Sequence, residues 1–350
     1  MNGRSFEIAV LPGDYIGPEI MRAGLAVLAA VSKNKNFDYK IKELPFGGAA
    51  IYKDGDPLPA NTLKECQDSD AILLAAIGGP KWDQASKRPE AGLLEIRKAL
   101  NLFANIRPTA ISPAMQKYSP LKQIKKIDFL IVRELTSGIY FGKPREESEQ
   151  AALDTMRYSA TEIRRIVKIA FQTAAKRNHH VTLVDKANVL ATSKLWRRIA
   201  NQVAKEFPEI SFDSCYVDAA AMKIISAPEK FDVIVTENLF GDILSDEAAQ
   251  ITGSLGTIPS ISRGDHGPAL YEPIHGSAPD IAGKGIANPL SMINSVAMML
   301  DHSFNRKDLA KRITDSVNKT IEDGTTTPDL GGNSKTTVVT NAIIKRIEEN

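Results

Sequence analysis

Short runs of β-branched and other apolar residues alternate along this chain with longer stretches whose apolar positions recur at helical spacing. FEIAVL (6–11), DAILLAAI (70–77), DFLIVREL (128–135), HVTLVDK (180–186) and FDVIVT (231–236) read as compact strands. Helical periodicity covers 17–32, 92–100, 160–177, 190–206, 242–251, 289–301, 307–321 and 336–347. Such alternation predicts an α/β architecture. No internal repeat, low-complexity tract or Gly/Ser linker interrupts it, so any domain boundary is compact. Residues 136–158 do break it with a turn-rich, charged segment, which fits either a surface loop or an arm used in subunit pairing.

The pattern poses one problem at NLFGDILSDEAA (238–249). Asp242 and Asp246 fall four apart where a helix opens after the strand 231–236, so two like charges share one helical face. Two explanations stand. Acids in a helix's first turn offset its dipole. Alternatively, the crevice beyond the strand ends of an α/β sheet is where ligands bind, and a divalent cation there turns repulsion into coordination.

At 350 residues the chain has room for one large or two medium domains. A net charge of +2 gives no overall pull toward nucleic acid or an anionic membrane. The N-terminal segment is unlike a secretory signal, and no stretch approaches ~20 uninterrupted apolar residues. Two cysteines, Cys66 and Cys215, form no disulfide framework, which suits a reducing cytosol and leaves a single bridge open.

Arg97, Arg107 and Arg133 are candidate anion grips, because a guanidinium fork matches a carboxylate two bonds at a time. Arg133 lies inside an apolar strand, where an unpaired charge is costly, so an anion belongs beside it. Arg97, on a leucine-rich helix, reads by itself as a solvated residue. Lys186 and Asp218 follow short strands, and a desolvated lysine near a metal can accept a proton. Tyr140, between glycines, is a phenol that can donate one, although packing is the commoner use of a lone tyrosine. No Rossmann or Walker fingerprint occurs in the required setting. HGSAPDIAGKGIANP (275–289) is instead a glycine-rich loop feeding a helix, able to offer N–H groups to phosphates and Asp280 to a ribose.

Seven segments in order, LPGDYIGPE, LLEIRKALNLFANIRP, VRELTSGIYFG, VDKANVL, VDAAAM, TENLFGDILSDEAA and EPIHGSAPDIAGKGIANP, make the chain resemble the isocitrate/isopropylmalate dehydrogenase family of metal-dependent β-decarboxylating dehydrogenases. The resemblance implies the family's two-domain α/β fold with a large mixed sheet and no Rossmann domain. The first domain would comprise 1–102 plus 255–350 and hold the cofactor; the second, 103–254, would carry metal, substrate and dimer interface. It further implies Arg97, Arg107 and Arg133 on the substrate carboxylates, Mg²⁺ or Mn²⁺ on Asp218, Asp242 and Asp246, and Lys186, Tyr140 and Asp218 in proton transfer. Lys186 and Asp218 would reach the site from a second subunit, making the active unit a cytoplasmic homodimer. The cofactor would lie against Gly78, Gly79, Pro80, Glu90, His275, Gly276, Ser277, Ala278, Pro279, Asp280, Ile281 and Asn288.

Where isocitrate enzymes of the family place serine and asparagine before the first arginine, this chain has Glu90 and Leu93, and a leucine suits an isopropyl group. Asp280-Ile281 stands in place of the Lys-Tyr pair of NADP-linked relatives, which points to NAD. A tartrate/malate or homoisocitrate dehydrogenase of the same family, and a catalytically silent binding or scaffold protein, are the alternatives. One departure is Tyr15, where the family motif GDGIGPE has glycine. Either that turn needs no left-handed backbone, or the loop is altered.

Overall fold

The computed structural model describes residues 5–33, 35–122 and 126–349; the expected first-domain ends, residues 1 and 350, lie outside these. The chain opens with β1 Phe6–Gly13, α1 Gly17–Ser32, β2 Tyr39–Glu43, α2 Gly48–Asp54, α3 Ala60–Asp68, β3 Ala71–Ala76 and α4 Pro89–Ala99. It continues through β4 Ala104–Ala110, β5 Asp128–Glu134, β6 Arg145–Glu147, β7 Ala152–Asp154, α5 Ala160–Ala174, β8 His180–Asp185, α6 Ala191–Ala204, β9 Ser211–Tyr216 and α7 Val217–Ser226. The last elements are β10 Val233–Thr236, α8 Asn238–Ile251, β11 Pro259–Arg263, β12 Ala269–Pro273, α9 Leu290–His302, α10 Lys307–Glu322 and α11 Thr336–Glu349.

Two compact units result, one from Met1–Leu100, Ser112–Tyr118 and Gly253–Asn350, the other from Asn101–Ile111 and Ser119–Thr252. In the first, the strands run β2-β1-β3-β12-β11, parallel except for the β11–β12 pair. Every residue of β3 is buried, as expected of a strand covered on both faces, which is why AILLAA reads as an unbroken apolar run. Helices α1, α9, α10 and α11 pack on one another beside these strands, and α1 turns Ile20, Val27 and Leu28 inward.

In the second unit the order is β4-β5-β10-β8-β9, with β4–β5 antiparallel and the rest parallel. Its core joins Ile163, Ile166 and Phe171 of α5 and Trp196 and Val203 of α6 to Val132, Leu183 and Val235 from the strands. A reciprocal cap starts α5: Ser159 accepts from the Glu162 N–H, and Glu162 accepts from the Ser159 N–H at 2.7 Å. The turn-rich 136–158 segment contains a small antiparallel ribbon, β6 against β7, all of it exposed and tied by Arg145 to Asp154 at 2.7 Å.

These mixed strand orders are the α/β class that the alternation predicts. Cys66 and Cys215 are both free and buried, and burial pushes the Cys66 thiol up to about 12. No described helix is long and apolar enough to cross a membrane.

Candidate functional site

The helix expected from residue 242 begins one turn earlier. Glu237 is its N-cap, α8 runs Asn238–Ile251, and its first turn contains no acid. Residues 238–241 are therefore helix, and the dipole explanation of the Asp242–Asp246 pair fails, since dipole compensation is confined to the first turn.

The neighbouring strands supply the compensation. Arg133 on β5 is directly opposite Asn105 on β4 in the antiparallel ladder, and Arg107 lies two residues from Asn105, so all three point to one face. Helix α8 packs on β4 and β5. Arg133 Nη1 donates to Asp242 Oδ1 at 2.6 Å. Its Nε and Nη2 both donate to Asn238 Oδ1, at 3.1 and 2.8 Å. Arg107 sits one turn along: Nη1 donates to Ser245 Oγ at 2.7 Å and to Asp246 Oδ1 at 3.0 Å, Nε donates to Asn105 Oδ1 at 2.9 Å, and Nη2 is 3.7 Å from Asp242. Residues 238, 242, 245 and 246 thus form one helical stripe that seats two guanidinium groups, each touching an acid. Desolvation holds the Asp246 carboxyl above its usual range, against the opposing pull of Arg107.

Space for this seat comes from Gly241. A Cβ there would fall 2.6 Å from Arg133 Cγ and 2.7 Å from its Cβ, closer than side-chain atoms approach. The arginine side chains themselves are almost wholly buried, whereas those of Asp242 and Asp246 are 35% and 55% exposed, so the acids form the wet rim of the cluster.

Tyr140 joins at that rim, its hydroxyl donating to Asp242 Oδ2 at 2.9 Å. Burial and the Asp242 charge keep the phenol protonated above its usual range. Lys186 and Asp218 pair with each other, Nζ to Oδ1 at 2.6 Å, and that bond holds the Asp218 carboxyl below its usual range. Among the described residues no group of three or more His, Cys, Asp or Glu gathers as a metal cage. Asp242 and Asp246 alone present stacked hard oxygen donors of the kind Mg²⁺ or Mn²⁺ takes.

In the first unit, α4 carries Glu90, Leu93 and Arg97 along one face. Arg97 is buried, contrary to the solvated expectation, because Glu272 on β12 accepts from its Nη2 at 3.0 Å. Its Nε has no hydrogen-bond partner among the described residues. Gly78 and Gly79 lie beside Tyr15, Glu90 and Ser277: Ser277 Oγ donates to the Gly78 carbonyl at 2.8 Å, the Ile16 N–H donates to the Ser277 carbonyl at 3.1 Å, and a Cβ on Gly78 would fall 2.5 Å from Glu90 Oε1. Tyr15 has φ +51°, so the turn does require left-handed backbone. Its ring covers Gly79 and meets Trp82 edge-on at 5.7 Å. Asp14 fastens the turn by accepting from the N–H groups of Gly48, Ala49 and Gly78.

Within the 275–289 loop, Ala278 is also left-handed. Pro279–Ile281 is a single 3-10 turn that leaves Asp280 exposed. Gly276 is exposed, Pro80 too, and Asn288 Nδ2 donates to Asp329 at 2.8 Å. His275 Nδ1 is bonded to the Gly276 carbonyl, while its Nε2 is shielded without a partner among the described residues. Burial pushes this imidazole below its usual range. An orphaned ring nitrogen on a glycine-rich loop fits the demand of a polar ligand there.

Sequence reading missed Asn105, Asn238 and Ser245, although 238 and 245 share the helical stripe of Asp242. It also missed Glu237, buried with neither carboxylate oxygen hydrogen-bonded among the described residues. Burial, with the Asp185 charge adding to it, raises this carboxyl to about 7.

Residues 7–347 match the model of the isocitrate/isopropylmalate dehydrogenase family. The chain is 58% identical over 346 residues to a 3-isopropylmalate dehydrogenase of Listeria monocytogenes, covering 98% of this chain and 99% of that one. It is 56% identical over 345 residues to a 3-isopropylmalate dehydrogenase of Lactococcus lactis, covering 98% and 100%. Among solved structures, an isocitrate dehydrogenase of Methylococcus capsulatus superposes with TM-score 0.89 at 37% identity, covering 98% and 99%. A β-decarboxylating dehydrogenase of Thermococcus kodakarensis gives 0.82 at 37%, covering 98% and 96%.

Gly241→Ala, a change that stabilises an ordinary helix interior by roughly 0.5–1 kcal/mol, is expected to destabilise this protein by about 1–3 kcal/mol through overpacking against Arg133, read from urea melts. Glu237 has a folded pKa above its unfolded one, so it withdraws stability as pH rises from the ordinary carboxylate range through about 7. Glu237→Gln is therefore expected to gain about 3 kcal/mol over wild type at pH 8 and close to nothing at pH 4. Equal gains at both pH values would contradict the raised pKa.

Proposed function

The chain belongs to the isocitrate/isopropylmalate dehydrogenase family, and from that premise we propose that it oxidatively decarboxylates (2R,3S)-3-isopropylmalate with NAD and a divalent cation, in leucine biosynthesis. The observation that supports this most is the α8 stripe, where two acids, two arginines and a phenol meet at a partly wet rim. Arg107 and Arg133 bind the substrate carboxylates, together with Arg97, and Leu93 meets the isopropyl group. Asp242 and Asp246, with Asp218 contributed across a homodimer, hold Mg²⁺ or Mn²⁺. Such a cation supplies Lewis-acid polarisation of the hydroxyl and adjacent carboxylate.

Lys186, paired with Asp218, would take the C2 hydroxyl proton as C2 is oxidised to the ketone. The β-carboxylate of the resulting 2-oxo acid departs as CO2, and Tyr140, held protonated, returns a proton to C3 to give 4-methyl-2-oxopentanoate. NAD, which would supply the hydride acceptor, would be held by Gly78, Gly79, Pro80, Glu90, His275, Gly276, Ser277, Ala278, Pro279, Asp280, Ile281 and Asn288. The exposed Asp280 disfavours a 2′-phosphate by charge.

Exposed apolar side chains support the homodimer. Met222 and Ile225 on α7 and Ile243 on α8 are 66%, 47% and 59% exposed on two helices that pack together, the kind of patch that marks an interface. Two unbridged buried thiols suit the cytoplasm.

NADH production from 3-isopropylmalate and NAD with Mg²⁺, abolished by EDTA and weaker with isocitrate, tartrate or NADP, is the expected result of a spectrophotometric assay. No NADH from any alkylmalate would sink the reading. Tyr140→Phe is expected to slow the decarboxylation half more than the oxidation, with equal loss in both counting against its role. Lys186→Met should abolish oxidation, and near-normal hydride transfer in that variant would refute the assignment.

A further inference from the structure

Buried guanidinium groups are ordinarily matched by carboxylates, yet both arginines of the α8 stripe give their Nε to an uncharged amide. Asn238 Oδ1 takes two donors of Arg133, and Asn105 Oδ1 takes Nε of Arg107 at 2.9 Å. Both asparagines are fully buried. The Asn238 amide cannot be turned around, because its Nδ2 donates to the Ser137 carbonyl at 3.0 Å; the backbone N–H of Asn238, donating to Tyr158 Oη at 2.9 Å, holds the residue in place. The carboxylates meet terminal nitrogens of the two forks, and one of them, Asp242, is shared between the arginines at 2.6 and 3.7 Å. It also accepts the Tyr140 proton donor. Each fork is thus fixed in plane by a neutral oxygen on its inner edge, with the acids at the rim.

We propose that Asn105 and Asn238 are positioning residues for anion recognition: they orient Arg107 and Arg133 for a dicarboxylate ligand without adding a counter-charge to those that Asp242 and Asp246 already bring at the rim. This rests on the substrate reading above. Aspartate at 105 would keep the acceptor for Arg107 Nε with a full negative charge, and so separates a purely structural role from a charge-preserving one; at 238 it would keep the acceptor for Arg133 but lose the donor to the Ser137 carbonyl, which adds a folding cost.

The test measures the 3-isopropylmalate KM, the NAD KM and kcat for Asn105→Asp and Asn238→Asp, and malate binding by calorimetry with Mg²⁺, which needs no turnover. The expected result in both variants is a rise of about tenfold or more in the 3-isopropylmalate KM and malate Kd, a smaller change in kcat and an unmoved NAD KM, with a melting temperature near that of wild type for Asn105→Asp and a lower one for Asn238→Asp. Asn105→Ala and Asn238→Ala, which lose the acceptor without adding charge, should lower the melting temperature. Substrate KM values within about threefold of wild type in both Asp variants would overturn the proposal. So would collapse of the fold in both, since the amides would then serve the fold alone. A wild type that binds malate more tightly than its Asp variants but makes no NADH would remove the substrate reading and leave this inference standing.

Discussion

The 2.6 Å bond from Arg133 to Asp242 ties the strand ladder to the helix that bears the acids. A guanidinium this deep needs a counter-charge, and two aspartates one turn apart need a cation between them or beside them. The protein solves both with one contact, repeated a turn later by Arg107 and Asp246. The antiparallel register of β4 on β5 puts the two arginines on one face, and a residue without a side chain at 241 lets the helix settle over them.

Elements with strong periodicity were legible from sequence: α1 at 17–32, α5 from 160, and the apolar strands β3, β5, β8 and β10. The rest carried weak signals for identifiable reasons. β2 reads YKIKE, whose last four residues are all exposed, so no apolar stripe marks it. β4 reads ANIRPTA, with a proline in an antiparallel pair and an arginine turned to α8, a pattern that looks like loop. The start of α8 was hidden because Glu237 caps without a side-chain bond, and the usual Ser, Thr, Asp or Asn signature is missing there.

The site divided in the same way. Charged residues announced themselves by type, and the family motifs assigned them roles. Their neutral supports did not, because an asparagine's importance lies in which donors it meets, whether two residues away, as with Asn105 and Arg107, or 105 away, as with Asn238 and Arg133. Arg97 shows the converse. Its helix looked solvated on one side, and only the pairing of β12 with β3 in the same unit brings Glu272 within reach of it.

The turn at Tyr15 carries a consequence for how this sequence can drift. The Tyr15 ring fills the space a side chain on residue 79 would need, and the Trp82 ring does the same at residue 48, where a Cβ would fall 2.0 Å from it. Aromatic at 15 therefore requires glycine at 79, and aromatic at 82 requires glycine at 48, with the two rings leaning on each other. Homologous chains should exchange residues 82 and 48 as a correlated pair, while residue 79, at φ +142°, keeps its glycine whatever stands at 15, and a chain with a small residue at 15 loses the wall that steadies Trp82.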